Sequence, residues 1–251
     1  MKFKQIVSLA LAGIFATALL TACSPEKTPT SASSSESSVA QPTTTTAVES
    51  TPVVNVNNYA AGDTLKLGAY NWRVLEVQGD KALIITESVV ALRPYNSKFE
   101  PLTWETCELR SYLNSDFYDS FTPDDKAKIV ETTISNPDNP TYKTPGGNAT
   151  SDKIFLLSVE EVKKYFKDDN DRVAKGIGED MFGYSEYYNY LKDYAKKGEG
   201  LKNSFWWWTR TQGSTKNTAA YVGRDGIVDE NGYVDTRTPS GVRPALWLSL
   251  S

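Results

Sequence analysis

Apart from two phenylalanines in the first fifteen residues, every aromatic side chain lies beyond Asn58: six Trp, fourteen Tyr and seven Phe fall in residues 59–251. Large rings supply much of the apolar area that stabilises a folded core. A chain distributed this way builds its core from residue 59 onward. Ser24 to Asn58 is Ser, Thr, Pro, Ala and Val with three Glu, one Lys and no ring at all. Such a segment buries too little surface to offset the entropy of ordering, so it is expected to act as an extended tether. A chain of 35 residues would hold its cargo off a surface by roughly 30 to 35 Å root-mean-square.

Ahead of the tether, Lys2 and Lys4 precede an apolar run from Ile6 to Leu20, which closes on Leu20-Thr21-Ala22-Cys23. This resembles the lipobox of bacterial lipoproteins, which implies removal of residues 1–22 and acylation of Cys23. The run is short for a transmembrane span, which needs about 20 apolar residues. The expected location is therefore the extracytoplasmic face of a bacterial cell membrane, with the lipid as the contact to it. Removing Lys2 and Lys4 takes the formal charge from −4 to −6. A mildly acidic protein is no candidate for nucleic acid or anionic headgroups.

Residues 59–251 are expected to form one globular domain. Tyr70 to Val77 alternates apolar and polar, Gly79-Asp80 turns the chain, and Ala82 to Thr86 returns it as a β-hairpin. From Trp104 to Tyr118, Leu109, Tyr112, Leu113 and Phe117 fall at helical spacing. Thr122-Pro123-Asp124-Asp125 starts a second helix, and Ser158-Val159-Glu160-Glu161 is a capping box that opens a third, running to about Phe166. Asn136 to Ser151 reads as a long loop. The last third predicts short strands over 205–210, 219–222, 226–228, 233–235 and 242–250, with turns at Gly223–Gly226 and Asn231-Gly232. Strands at both ends with helices between them give an α+β fold.

Six ordered motifs carry a resemblance. They are Tyr70-x-Trp72-Arg73-Val74-Leu75, Arg93-Pro94-Tyr95-Asn96, Thr103-Trp104-Glu105-Thr106-Cys107-x-Leu109-Arg110-x-Tyr112-Leu113-Asn114, Phe155 to Ser158, Trp207-Trp208-Thr209-Arg210, and Gly241-Val242-Arg243-Pro244-Ala245-Leu246. Together they resemble the bacterial domain-of-unknown-function family 6273, with residues 168–202 matching least. The closing pair of motifs is also similar to the ends of C-type-lectin-like folds, which include the formylglycine-generating enzymes. That likeness implies a mixed fold whose terminal strands are paired, and fold alone does not fix function.

With no histidine in the chain and Cys23 acylated, one thiol remains, Cys107. Ser–His–Asp and Cys–His catalysis and the usual zinc ligand sets are excluded, and the paired cysteines of formylglycine-generating enzymes are missing. Cys107 is expected to be a small structural thiol. The acidic runs Asp168 to Asp171 and Asp225 to Asn231 do not fit a calcium loop and read as solvated loops. No metal and no cofactor are expected. A carboxylate pair is the one generic catalytic option left, and 31 acids do not single out two.

Strand alternation through Trp206-Trp207-Trp208 places Trp206 and Trp208 on one face and Trp207 with Phe205 on the other. One reading covers both faces and pairs or stacks Arg210 and Arg243 in the interior. The other leaves Trp206, Trp208 and Arg210, or the cluster Tyr184, Tyr187 and Tyr188, as a stacking platform for a sugar or a protein. The tyrosines also fit one helical face. The expected function is a monomeric, lipid-anchored binding domain for a glycan or surface protein. The alternative is an extracellular carboxylate enzyme acting on cell-wall or glycan substrates; a transporter's solute-binding component would need two lobes and more length. Cys23→Ser is expected to release the protein into the soluble fraction with its melting transition unchanged; continued sedimentation with membranes would show that something other than the lipid holds it there.

Overall fold

Strands β1 (Thr64–Leu67), β2 (Tyr70–Gln78) and β3 (Lys81–Thr86) form an antiparallel meander. Its second turn needs Gly79, whose φ of 60° lies in the left-handed region that side chains with a Cβ avoid. The computed structural model describes residues 58–176 and 204–251, all within one compact unit, Ser50–Ser251. Cys23, the signal-like segment, the tether, and Tyr184, Tyr187 and Tyr188 lie outside the described residues. No helix among the described residues is long and apolar enough to cross a membrane.

After β4 (Ala91–Arg93) comes the segment predicted as one helix over 104–118. It is instead three pieces: a 3-10 turn Trp104–Thr106, helix α1 (Glu108–Tyr112) and a π-helical turn Leu113–Phe117. The break falls at Cys107, whose backbone is extended at φ −75° and ψ 149°. Its buried sulfur caps α1 by accepting the Arg110 N–H at 3.4 Å, and its S–H donates to the Trp104 carbonyl at 3.4 Å. The extra residue in the π turn lets Leu113 and Phe117 both reach the core.

Helix α2 (Pro123–Lys128) starts at Thr122, which accepts the Asp125 N–H, with Pro123 in the first turn as the sequence predicts. It leads into β5 (Ile129–Val130), β6 (Thr132–Ile134), a long loop, and β7 (Thr150–Asp152), which pairs with β6. Helix α3 (Val159–Tyr165) carries the expected capping box, Ser158 with Glu161. The acidic run that follows is solvent-exposed as expected, but helical rather than a loop. Asp168 caps a short helix α4 (Asp169–Arg172) by accepting the Asp171 N–H.

The remaining strands are β8 (Ala174–Lys175), β9 (Ser204–Phe205), β10 (Trp207–Gln212), β11 (Ala219–Val222), β12 (Val228–Tyr233), β13 (Ser240–Val242) and β14 (Ala245–Ser249). One five-stranded sheet runs β1-β2-β3-β14-β5 and the other β12-β11-β10-β13-β4, so the fold is a mixed α+β one. The two ends of the domain share the first sheet, but β14 pairs with β3 and β5 rather than with β1. β1 remains the edge strand on the far side of β2, and β14 takes the other side of β3. Gly226-Ile227 is a turn rather than a strand. Asn231-Gly232, predicted as a turn, sits inside β12, where the register with β11 shifts as in a β-bulge.

A buried carboxylate ties these parts together. Asp152 accepts the Trp104 indole N–H at 2.9 Å, the Thr150 hydroxyl at 2.8 Å and the Arg110 Nε–H at 2.6 Å. Asn114 fixes the next residues, taking the backbone N–H groups of Lys153 and Ile154 and donating to the Ile154 carbonyl at 2.8 Å. Asp152→Ala leaves three donors, one of them charged, without their acceptor. It is expected to cost about 3 kcal/mol of unfolding free energy, measured by urea denaturation; a loss under about 1 kcal/mol would mean that water replaces the carboxylate.

Candidate functional site

The strand 207–212 is covered on both sides, and the three tryptophans divide as alternation requires. Trp207 packs against Phe166 at 6.2 Å and under the Arg243 guanidinium at 5.2 Å. Trp208 is fully buried, edge-on to Tyr95 at 5.5 Å, with its indole N–H donated to the Arg93 carbonyl at 3.0 Å. Trp206 touches Trp208 at 4.9 Å but is only half-buried. Its backbone is held by Gly241, whose N–H donates to the Trp206 carbonyl at 3.0 Å. A Cβ on residue 241 would lie 2.6 Å from that carbonyl oxygen, so only glycine permits this approach.

Of the residues that the sequence offers as a binding platform, Trp206 alone among those described reaches the surface. Trp208 and Arg210 belong to the interior. Arg210 forms a two-point pair with Glu161, and donates to the Leu156 carbonyl at 2.9 Å and the Ser135 carbonyl at 3.1 Å. Its work is to fasten α3 to β10, which a buried guanidinium does well because its planar fork satisfies several acceptors at once.

Trp206 instead has neighbours that sequence patterning did not single out. Tyr221 of β11 lies 5.1 Å from it edge-on, and Tyr233 of β12 lies 4.8 Å from it, both half-buried. The Tyr221 hydroxyl donates to Asp229 at 2.9 Å. Burial and that carboxylate push the Tyr221 hydroxyl up to about 12, so it stays protonated and the ring stays oriented. The register pairs Tyr221 with both Trp208 and Asp229, and only that cross-strand pairing reveals the cluster.

A concavity of about 370 Å3 lies against β2, lined by Arg73, Glu87, Tyr165 and Asp171 with Ala61 and Gly62. Arg73 donates Nε and Nη2 to the two oxygens of Glu87 at 2.9 and 3.0 Å and Nη1 to Asp171 at 2.6 Å. Burial opposes the charge on Asp171, but the Lys167 N–H and Arg73 outweigh it and hold the carboxyl below its usual range. Beside the cleft, the Tyr165 hydroxyl, Gln78 and Lys164 all donate to Glu76, lowering it to about 2.

The chemistry available is limited. Burial pushes the Cys107 thiol up to about 12, which leaves it no thiolate for nucleophilic work. Among the described residues, no group of three or more His, Cys, Asp or Glu side chains is placed to hold a metal ion. Asp229 is spent on Tyr221 and on the N–H groups of Asn231 and Gly232.

The sequence profile of the family described as Domain of unknown function (DUF6273) matches residues 79–250. The chain belongs to this family. No curated protein and no solved structure matches the chain. The matched span of the DUF6273 domain begins in the β2–β3 turn, although β2 supplies Arg73 and pairs with β3 from Trp72 to Gln78. The family motifs are largely structural in this chain: Trp104 and Arg110 serve Asp152, Arg210 serves Glu161, and Gly241 admits the Trp206 backbone.

Lowered carboxyls at Glu76 and Asp171 stabilise the fold while ionised. Because their folded values lie below their unfolded ones, that stabilisation fades as pH falls; the share from Glu76 is complete above about pH 4.5 and is lost as pH falls toward about 2. Glu76→Gln is expected to flatten the fall in melting temperature between those limits. A wild-type slope in the variant would show that Glu76 does not titrate with the fold.

Proposed function

We propose that this DUF6273 domain is a lipid-anchored, non-catalytic surface module that binds carbohydrate through the face formed by Trp206, Tyr221 and Tyr233. The observation that carries the reading is that three half-buried rings lie within 4.8 to 6.1 Å of one another, with Tyr221 held in place by Asp229. Sugar rings present C–H faces that stack on aromatic surfaces. The rings are held by sheet register, so little ordering entropy is lost on contact.

The architecture supports a C-type-lectin-like arrangement to the extent that the opening hairpin and the last strand share one sheet. The lipobox-like Leu20 to Cys23 supports a membrane location for the module, to which the Ser/Thr/Pro-rich tether would give reach. Carboxylate catalysis of glycoside cleavage is less well supported. It needs an acid kept protonated near neutral pH, whereas Glu76, Asp171, Glu230 and Asp235 are all displaced downward.

On arrays of cell-wall fragments and surface glycans, Trp206→Ala and Tyr221→Ala are each expected to weaken retention of the protein by roughly tenfold while leaving the melting transition in place. Equal retention by wild type and both variants would remove the aromatic face as the site. Turnover of a bound glycan, abolished by one acidic substitution, would replace binding with catalysis.

A further inference from the structure

The cleft against β2 has a chemistry of its own. Arg73 pins Glu87 and Asp171 with a single guanidinium, and the second oxygen of Asp171 accepts the Lys167 N–H at 3.0 Å. Each of the four carboxylate oxygens thus holds one hydrogen bond among the described residues, and each keeps a lone pair. The side chains of Arg73, Glu87 and Asp171 are 23%, 30% and 30% exposed, so water or a ligand reaches them.

Behind them lies Arg243, 1% exposed, whose Nε donates to the Thr86 carbonyl at 2.7 Å. Its guanidinium stacks between Phe166 at 5.0 Å and Trp207 at 5.2 Å, and its two terminal nitrogens have no hydrogen-bond partner. It interacts through space with Arg73, Glu87 and Asp171, the charged residues of the cleft. Two guanidiniums therefore stand against two carboxylates. An anion entering the cleft meets Glu87 and Asp171, and a cation meets Arg73, with the charge of Arg243 behind it. What the balance favours is an uncharged ligand, and what the free lone pairs require is a donor of several hydrogen bonds.

We infer that this cleft is a binding site for a neutral sugar residue, with Glu87 and Asp171 accepting from its hydroxyls and the Tyr165 ring flanking it. The volume of about 370 Å3 sits at the lower end of the range for ligand sites, roughly 300 to 1,000 Å3. The acceptors are locked by Arg73 before any ligand arrives, so binding does not have to order them. The aromatic face belongs to the other sheet, and this inference goes beyond it: either site can fail without the other.

The full chain, carrying isotope-labelled arginine, is titrated with glucose, galactose, mannose and N-acetylglucosamine while the Arg73 Nε–H resonance is followed. At least one of these sugars is expected to move that resonance saturably. Glu87→Gln and Asp171→Asn are each expected to weaken the interaction by roughly tenfold, and Tyr221→Ala to leave it unchanged. The site is overturned if none of the four sugars moves the resonance, if only glucuronate or protonated glucosamine does, or if binding survives both acidic substitutions. The wild-type titration decides the matter even where a variant fails to fold.

Discussion

Asp152 is 1% exposed and carries its charge into the interior only because three donors converge on it. Taking a carboxylate out of water costs several kcal/mol, about as much as the net stability of many domains. That cost makes the arrangement all-or-none. The Trp104 turn, α1 and β7 must arrive together, because any one of them missing leaves a buried charge exposed to its own desolvation. Trp104 in turn meets Tyr95, which meets Trp208, which meets Trp206. The half-buried rings of the proposed binding face are the outer end of a contact chain that begins at this carboxylate.

The two interior arginines solve the same problem differently. Arg210 is matched by Glu161 and two carbonyls, so its charge is compensated by hydrogen bonds. Arg243 has one hydrogen bond, to the Thr86 carbonyl, and otherwise relies on ring faces and on charges at a distance, and burial lowers its guanidinium to about 9. A cation stacked between rings keeps its hydration cost largely unpaid by hydrogen bonds. Arg243 is thereby sensitive to whatever surrounds Glu87 and Asp171, in a way that Arg210 is not.

Local chemistry was legible in the sequence wherever the partners are a few residues apart. Thr122, Ser158 with Glu161, and Gly79 each announce a cap or a turn through contacts within a handful of residues. The alternation of Trp206, Trp207 and Trp208 likewise follows from backbone geometry alone. The helix over 104–118 misled because its apolar spacing is compatible with α, 3-10 and π turns alike, and a buried cysteine serving as the cap at Cys107 is not a usual helix-start signal. Both candidate sites were hidden for one reason. Tyr221, Tyr233 and Trp206, like Arg73, Glu87 and Asp171, are distant in the chain and meet only through strand register and helix docking.

The place of β14 has a consequence for how the domain comes into being. It is an interior strand of the first sheet, yet it consists of residues 245–249 and pairs with residues 81–85 and 129–130. Nearly the whole domain must be available before β3 gains its second neighbour. Contacts this far apart in sequence are slow to form, since the intervening loop must close first. A growing chain would therefore hold an unfinished sheet with an open edge.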